Sequence, residues 1–341
     1  MMKYLLYPAS WLFAIVVYIR NTLYNWNMLP IMNSKLPVIS VGNIQVGGAG
    51  KTPFVIAVCK QLIKHNISPV IITRGYKRNT KHQIIFNDIE QYSAKEVGDE
   101  PYYMKQVLKG IPIIIDHNKK RAVKKANELS NIDCIILDDG FQSRYIKRDL
   151  DIVLQSWQSK QAIGKALLPA GVWREPLSNV IRADIWYGVS KEEKPYNKWG
   201  NSEIYQKLSR RYLHCKYALH KYKNNVLEIK NNLIIDEPCV AFCGIASPNS
   251  FIAAAQKYNS TNIDKKIIFE NHAEYNAKKY QQLKNNNTKN LSFITTYKDF
   301  VKLEDKFKNE NTIYVLEMNL ILNDETISEL LKDIQRVINE N

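Results

Sequence analysis

The residues of this 341-residue chain best suited to chemistry lie in two stretches. The first is PVISVGNIQVGGAGKTP, residues 37–53, an apolar run that breaks into glycines and ends in Lys51 and Thr52. Glycines at 42, 47, 48 and 50 let backbone N–H groups converge, and a helix starting at Lys51 adds partial positive charge at the same point. This reads as a phosphate-binding loop: Gly47, Gly48, Ala49 and Gly50 would cradle a nucleotide's phosphates, Lys51 would reach the outer ones, and the Thr52 hydroxyl would ligate Mg²⁺. The pattern GxxxxGK[ST] is broken at its first glycine, where Gln45 stands. The second stretch is an apolar strand, residues 134–137, running into Asp138 and Asp139. Carboxylates at such a strand end, downstream of a phosphate loop, suit a Mg²⁺ site.

Those groups need a scaffold. Residues 37–41 read as a buried strand and residues 52–64 as the helix after it, with Pro53 in the first turn where a missing N–H costs little. A second strand, 70–73, ends in Thr73, Arg74 and Gly75, and the sequence Gly98-Asp99-Glu100-Pro101 opens a helix. Asp99 at a helix start suits the helix dipole, but it also follows a strand and loop that could face the phosphates. Strands at 111–115 and 150–154 and a basic helix at 118–129 complete an α/β pattern. Alternating strands and helices predict a P-loop NTPase-like core with a mostly parallel sheet over residues 31–207. The loop GKALLPAGVWREP, residues 164–176, offers Lys165 and Arg174 among apolar residues and prolines, a composition suited to a rigid substrate-facing loop. From residue 208 the chain turns rich in Lys and Asn, with strands at 240–245, 266–269, 291–295 and 313–318 and an amphipathic helix at 325–338, predicting a smaller C-terminal α/β domain over 208–341.

Residues 4–19 carry no charge and are bracketed by Lys3 and Arg20. A bilayer span needs about 20 apolar residues, so the segment is short, while Tyr4, Tyr7, Trp11 and Tyr18 are aromatics favoured at membrane interfaces. Residues 1–30 therefore read as a membrane-associated helix lying on or partly inserted into a bilayer. The net charge of +15 is uneven: the first 87 residues hold ten Lys or Arg and no Asp or Glu, two thirds of the total. That field attracts anionic lipid or a phosphorylated substrate, and without interleaved aromatics it argues against nucleic acid. Five cysteines form no CxxC pair and six histidines are scattered, so neither a disulfide framework nor a zinc site is indicated.

VGNIQVGGAGKTP, TRGY (73–76), GDEP (98–101), DDGFQ (138–142), LLPAGVWREP (167–176), FCGIASP (242–248) and TTYKD (295–299), in that order, closely resemble the tetraacyldisaccharide 4'-kinase, or lipid A 4'-kinase, family. The resemblance implies ATP- and Mg²⁺-dependent phosphorylation of the 4'-hydroxyl of a tetraacyl glucosamine disaccharide 1-phosphate, the lipid A precursor, at the cytoplasmic face of the bacterial inner membrane. It makes Asp99 the base for the sugar hydroxyl, Thr52, Asp138 and Asp139 the metal group, and Arg74, Gln142 and Arg174 substrate-binding residues. FENHAEY (269–275) matches the family's Asp-His motif, which makes His272 the partner of Asp99, with Asn271 where the family usually has Asp. Ser143 and Tyr297 also depart from the pattern. A membrane-associated P-loop ATPase or GTPase without a lipid acceptor would share the GKT loop and the acidic strand end, although no NKxD guanine motif follows them.

Overall fold

A computed structural model describes residues 4–47, 49–156, 166–190, 212–223, 226–229, 233–245 and 247–341. Gly48, Gly164, Lys165 and Ala246 lie outside the described residues. The chain divides into two compact units, residues 1–215 with 320–341 and residues 216–319.

The first unit begins with α1 (Tyr7–Asn25), followed by β1 (Val38–Gly42), α2 (Lys51–Lys64), β2 (Pro69–Thr73), β3 (Ile84–Phe86), α3 (Ala94–Val97), α4 (Asp99–Val107), β4 (Ile113–Ile115), α5 (Lys119–Ala126), β5 (Cys134–Asp138), β6 (Leu150–Ser156), β7 (Ile185–Ser190) and the start of β8 (Tyr212–Lys223). Its strand order is β8-β7-β6-β1-β5-β2-β4-β3. Among the described residues its strands pair in parallel except for the edge strand β3, which runs antiparallel to β4. Every residue of β1, β2 and β5 is buried, as expected of parallel strands covered on both faces. Register places Val41 beside Asp138 and Ile72 beside Leu137, so the carboxyl ends of β1, β5 and β2 are level. Loops leaving those ends form the crevice where open α/β sheets bind ligands.

The second unit contains most of β8 with β9 (Val226–Ile229), then β10 (Cys239–Cys243), α6 (Pro248–Lys257), β11 (Ile263–Ile268), α7 (Ala277–Asn286), β12 (Ser292–Thr296), α8 (Tyr297–Phe300), α9 (Asp305–Glu310) and most of β13 (Ile313–Ile321). Strands run in the order β11-β10-β12-β13, with parallel pairing of β10 to β11 and β12 and of β12 to β13, and β9 forms an antiparallel hairpin with β8.

The closing helix α10 (Asp324–Asn339) belongs to the first unit, whereas its place in the sequence put it with the C-terminal domain. Its apolar stripe, Leu330, Leu331, Ile334 and Val337, is buried, and it packs on α2 and β6. Sequence distance sets no limit on such packing; an amphipathic stripe needs only an apolar surface to cover.

The expectation of an N-terminal helix holds, although it runs to Asn25. Ser10, Val17 and Asn21, one stripe of α1, are buried, while Trp11, Leu12, Ile15, Val16, Tyr18 and Ile19 are exposed by half or more. The helix is thus most apolar on the side facing away from the protein. No helix among the described residues is long and apolar enough to cross a membrane. The five cysteines are free and buried, and burial pushes the thiols of Cys59, Cys134, Cys239 and Cys243 up, Cys134 to about 12.

Candidate active site

Gly50 caps α2 in the left-handed conformation and Lys51 begins the helix, so the free N–H groups of its first turn open toward the strand ends. The approach to this loop is braced by the LLPAGVWREP segment. Val46 N–H donates to Val172 O, Arg174 N–H donates to Ile44 O, and Gln45 bridges antiparallel to Trp173. The missing first glycine is thereby explained: Gln45 belongs to a short ladder that fixes Arg174 beside the phosphate loop. Ile44, Phe141, Val153, Leu167, Trp173 and Val180 pack beneath it.

At the end of β5 the two aspartates face different partners. Asp139, in a left-handed conformation that Asp tolerates, receives Arg174 Nη1 at 2.8 and 2.9 Å on its two oxygens and Lys51 Nζ at 3.4 Å. Asp138 accepts from the Thr73 hydroxyl at 2.9 Å on Oδ2, and its Oδ1 is buried without a hydrogen-bond partner. Beneath them lies Lys119, fully buried, whose Nζ donates to the backbone carbonyls of Asp138 and Asp139, each at 2.7 Å. Gln142 donates to Asn43 O and lies 3.4 Å from Arg174 Nη1, tying the DDGFQ turn to the end of β1.

Electrostatics separate the two carboxyls further. Burial pushes Asp139 up, but Lys51, Arg174 and Lys119 outweigh it and hold the group well below the usual carboxylate range. Burial, then Glu100 and Asp139, raise Asp138 to about 6 against the pull of Lys51 and Lys119. Burial lowers Lys119 to about 8, with Asp139 and Asp138 opposing.

The influence of Glu100 on Asp138 locates the start of α4, hence Asp99, near the same strand end. Two loops bring it there. Gly75 and Gly98 both have positive φ, and a Cβ on Gly75 would come within 2.6 Å of Val97 O and Ile115 Cγ2. The TRGY and GDEP turns therefore pack backbone against backbone, an approach only glycine allows. Asp99 is half-buried, and Arg74 is exposed but close enough to Lys119 to affect its ionisation.

The structure thus gathers Lys51, Asp138, Asp139, Gln142 and Arg174 around one strand end, with Asp99 and Arg74 on the neighbouring loops. Thr52 is buried in the first turn of α2. His272 lies in the second unit, on a turn closed by Ala273 N–H to Glu270 O. Three residues escaped sequence reasoning. Lys119 is one of several lysines in a basic helix, and nothing in its spacing marks it as the buried one. Thr73 was visible only as a strand terminus. Glu175, fully buried, accepts from Asn21 of α1, Asn179 and Arg182 at 2.7 to 3.0 Å and lies 3.6 Å from Arg20, so the residue after Arg174 anchors the N-terminal helix. Ser10 adds a second tie, donating to Leu167 O and accepting from Ala170 N–H.

The donor set fits a magnesium ion. A buried carboxylate oxygen lacking a donor on Asp138, with the Thr52 hydroxyl in the first turn of α2, suits a hard cation that takes one or two protein oxygens and fills its remaining positions with water and phosphate.

Comparison with known proteins agrees with this geometry. Residues 2–336 match the family model for tetraacyldisaccharide-1-P 4'-kinase, LpxK. A tetraacyldisaccharide 4'-kinase from Pelodictyon phaeoclathratiforme is 33% identical over 316 residues, 88% of this chain and 86% of that one. Another from Aquifex aeolicus is 30% identical over 306 residues, 89% and 91% of the two chains. The crystal structure of an "apo" form of LpxK from Aquifex aeolicus in complex with ATP superposes with a TM-score of 0.77 at 28% identity, covering 99% of this chain and 100% of that one.

A raised carboxyl has a thermodynamic consequence. Between the ordinary value of 3.8 and about 6 the folded Asp138 binds a proton that the unfolded chain releases, so its contribution to stability is lost as pH rises through that window. In metal-free buffer Asp138→Asn should therefore be at least as stable as wild type at pH 7.5, with the advantage shrinking below pH 6. Thermal unfolding across pH checks this, and a variant markedly less stable at pH 7.5 would contradict it. The chain belongs to the tetraacyldisaccharide 4'-kinase family.

Proposed function

We propose that the chain transfers the γ-phosphate of ATP to the 4'-hydroxyl of a tetraacyl glucosamine disaccharide 1-phosphate, using the residues gathered at the ends of β1 and β5. The observation that carries this reading is the convergence of Lys51 and Arg174 on the Asp139 carboxylate and of Lys119 on the backbone carbonyls beneath it, next to buried Asp138 and the helix start that bears Asp99.

Backbone N–H groups of the loop before α2 bind the β- and γ-phosphates, and Lys51, held near Asp139, contributes its charge to the outer phosphate. Asp138 and Thr52 supply oxygens for Mg²⁺, which when bound neutralises phosphate charge in the transition state. Asp139 keeps Lys51 and Arg174 oriented, a positioning role that its low proton affinity sustains across the physiological range. Asp99 accepts the proton of the 4'-hydroxyl as the oxygen bonds to phosphorus and the bond to the β-phosphate oxygen breaks, a contribution of roughly 10²–10⁴-fold. Gln142, Arg74 and Arg174 bind anionic groups of the substrates. The family motif, FENHAEY, assigns His272 to the reaction as well.

A substrate with four acyl chains leaves a bilayer at a cost of ~0.8 kcal/mol per buried CH₂, so the enzyme must work at the membrane. The exposed apolar face of α1 supplies the contact, and the basic N-terminal third favours an anionic leaflet. We place the enzyme on the cytoplasmic face of the inner membrane, where ATP is available.

Incubation with γ-labelled ATP, Mg²⁺ and detergent-dispersed tetraacyl disaccharide 1-phosphate should put label into a bisphosphorylated lipid, and Lys51→Ala and Asp99→Ala should each reduce that rate at least about 10²-fold. Label appearing only as free phosphate, at a rate indifferent to lipid, would make the protein an ATPase instead. Replacing Trp11 and Ile15 together by Glu should sharply reduce co-sedimentation with anionic vesicles; undiminished sedimentation would place the membrane contact elsewhere.

A further inference from the structure

His272 has a backbone φ of +61°, a left-handed conformation that a non-glycine residue holds only when its surroundings impose it. Those surroundings converge on Asp299. His272 N–H donates to Gly244 O at 2.8 Å, and the N–H of Gly244 donates to Asp299 Oδ2 at 3.0 Å. The same Oδ2 receives the Thr296 hydroxyl at 2.7 Å, and Oδ1 lies 3.2 Å from Lys302 Nζ. Lys302 in turn donates to Ala273 O at 3.0 Å, on the residue after His272. One ion pair therefore grips the histidine turn at both ends, through Gly244 on one side and Ala273 on the other. Asp299 is fully buried, and a buried carboxylate is tolerated only when its partners are fixed in place. Helix capping alone accounts for its contact with Thr296 at the start of α8, but not for its hold on Gly244, which lies on a different loop.

We infer that Asp299 is a positioning residue for the reaction, its buried carboxylate acting through Gly244, with Lys302 acting through Ala273, to set the backbone from which the His272 imidazole projects. The inference rests on the reading of His272 as a participant in phosphate transfer. It also gives the TTYKD and FCGIASP segments one shared task, since each supplies one half of the Asp299 to Gly244 contact.

The test is a kinetic cycle on the full chain with Asp299→Ala, His272→Ala and the double variant, using ATP and the detergent-dispersed lipid. Asp299→Ala should lower kcat by about 10²-fold, the cost of misplacing a reacting group by about 1 Å, leave KM for ATP unchanged, and cause no further loss when His272 is already Ala. Gly244→Ala, whose Cβ would meet Ala273 Cβ at 2.7 Å and Glu270 O at 3.0 Å, pushes on the same turn without removing a charge. It should give the same non-additive loss, and it carries the test if Asp299→Ala does not fold. Equal losses in the presence and absence of His272 would overturn the positioning role while leaving His272 in the reaction. A wild-type kcat in His272→Ala would instead remove His272 and the inference with it.

Discussion

The structure depends on keeping two adjacent carboxylates, Asp138 and Asp139, largely out of water at the end of a buried parallel strand. A buried carboxylate is costly unless paired, and removing one partner leaves an uncompensated charge. Three cations from three separate segments meet that demand: Lys51 from the start of α2, Lys119 from the start of α5, and Arg174 from the loop after β6. The strand register brings the phosphate loop and the acidic turn level, and Lys119 locks the turn by its carbonyls rather than its carboxylates. Asp139 is held by Lys51 and Arg174, while Asp138 keeps one buried oxygen without a hydrogen-bond partner.

The segment that delivers Arg174 also carries the N-terminal helix. Glu175, next in the chain, is buried among Asn21, Arg20, Asn179 and Arg182, so the element exposing an apolar face to its surroundings is joined by one peptide unit to the residue that grips Asp139. The face of α1 turned inward joins polar Ser10 and Asn21 to Val17, Phe13 and Ala14, so bonds to Leu167, Ala170 and Glu175 add to the packing of Phe13 and Ala14 on the cluster beneath. That arrangement leaves the large apolar residues Trp11, Leu12, Ile15, Val16, Tyr18 and Ile19 on the exposed face.

Much of this was legible in the sequence. The strand, glycines and GKT specify a phosphate loop because each local choice agrees with the same geometry, and continuous apolar runs ending in Asp or Thr mark the carboxyl ends of parallel strands. Contacts between segments were less visible. Lys119 looks like any lysine of a basic helix until the fold buries it, Glu175 reads as a surface charge in a loop, and the role of Gln45 follows only from its pairing with Trp173. Strand β8 was hidden by its lysines, and the edge strand β3 by its three-residue length. The left-handed backbone of His272 has no signature in a stretch where glycine is absent.

The division of labour between the two aspartates is tested most directly by titrating Mn²⁺, in place of Mg²⁺, into the wild-type chain, Asp138→Asn and Asp139→Asn with ATP present, and reading bound metal by electron paramagnetic resonance. The account predicts that Asp138→Asn weakens metal binding by about tenfold or more, whereas Asp139→Asn keeps near-wild-type metal affinity and loses phosphate transfer. Metal binding that survives Asp138→Asn and collapses in Asp139→Asn would contradict it.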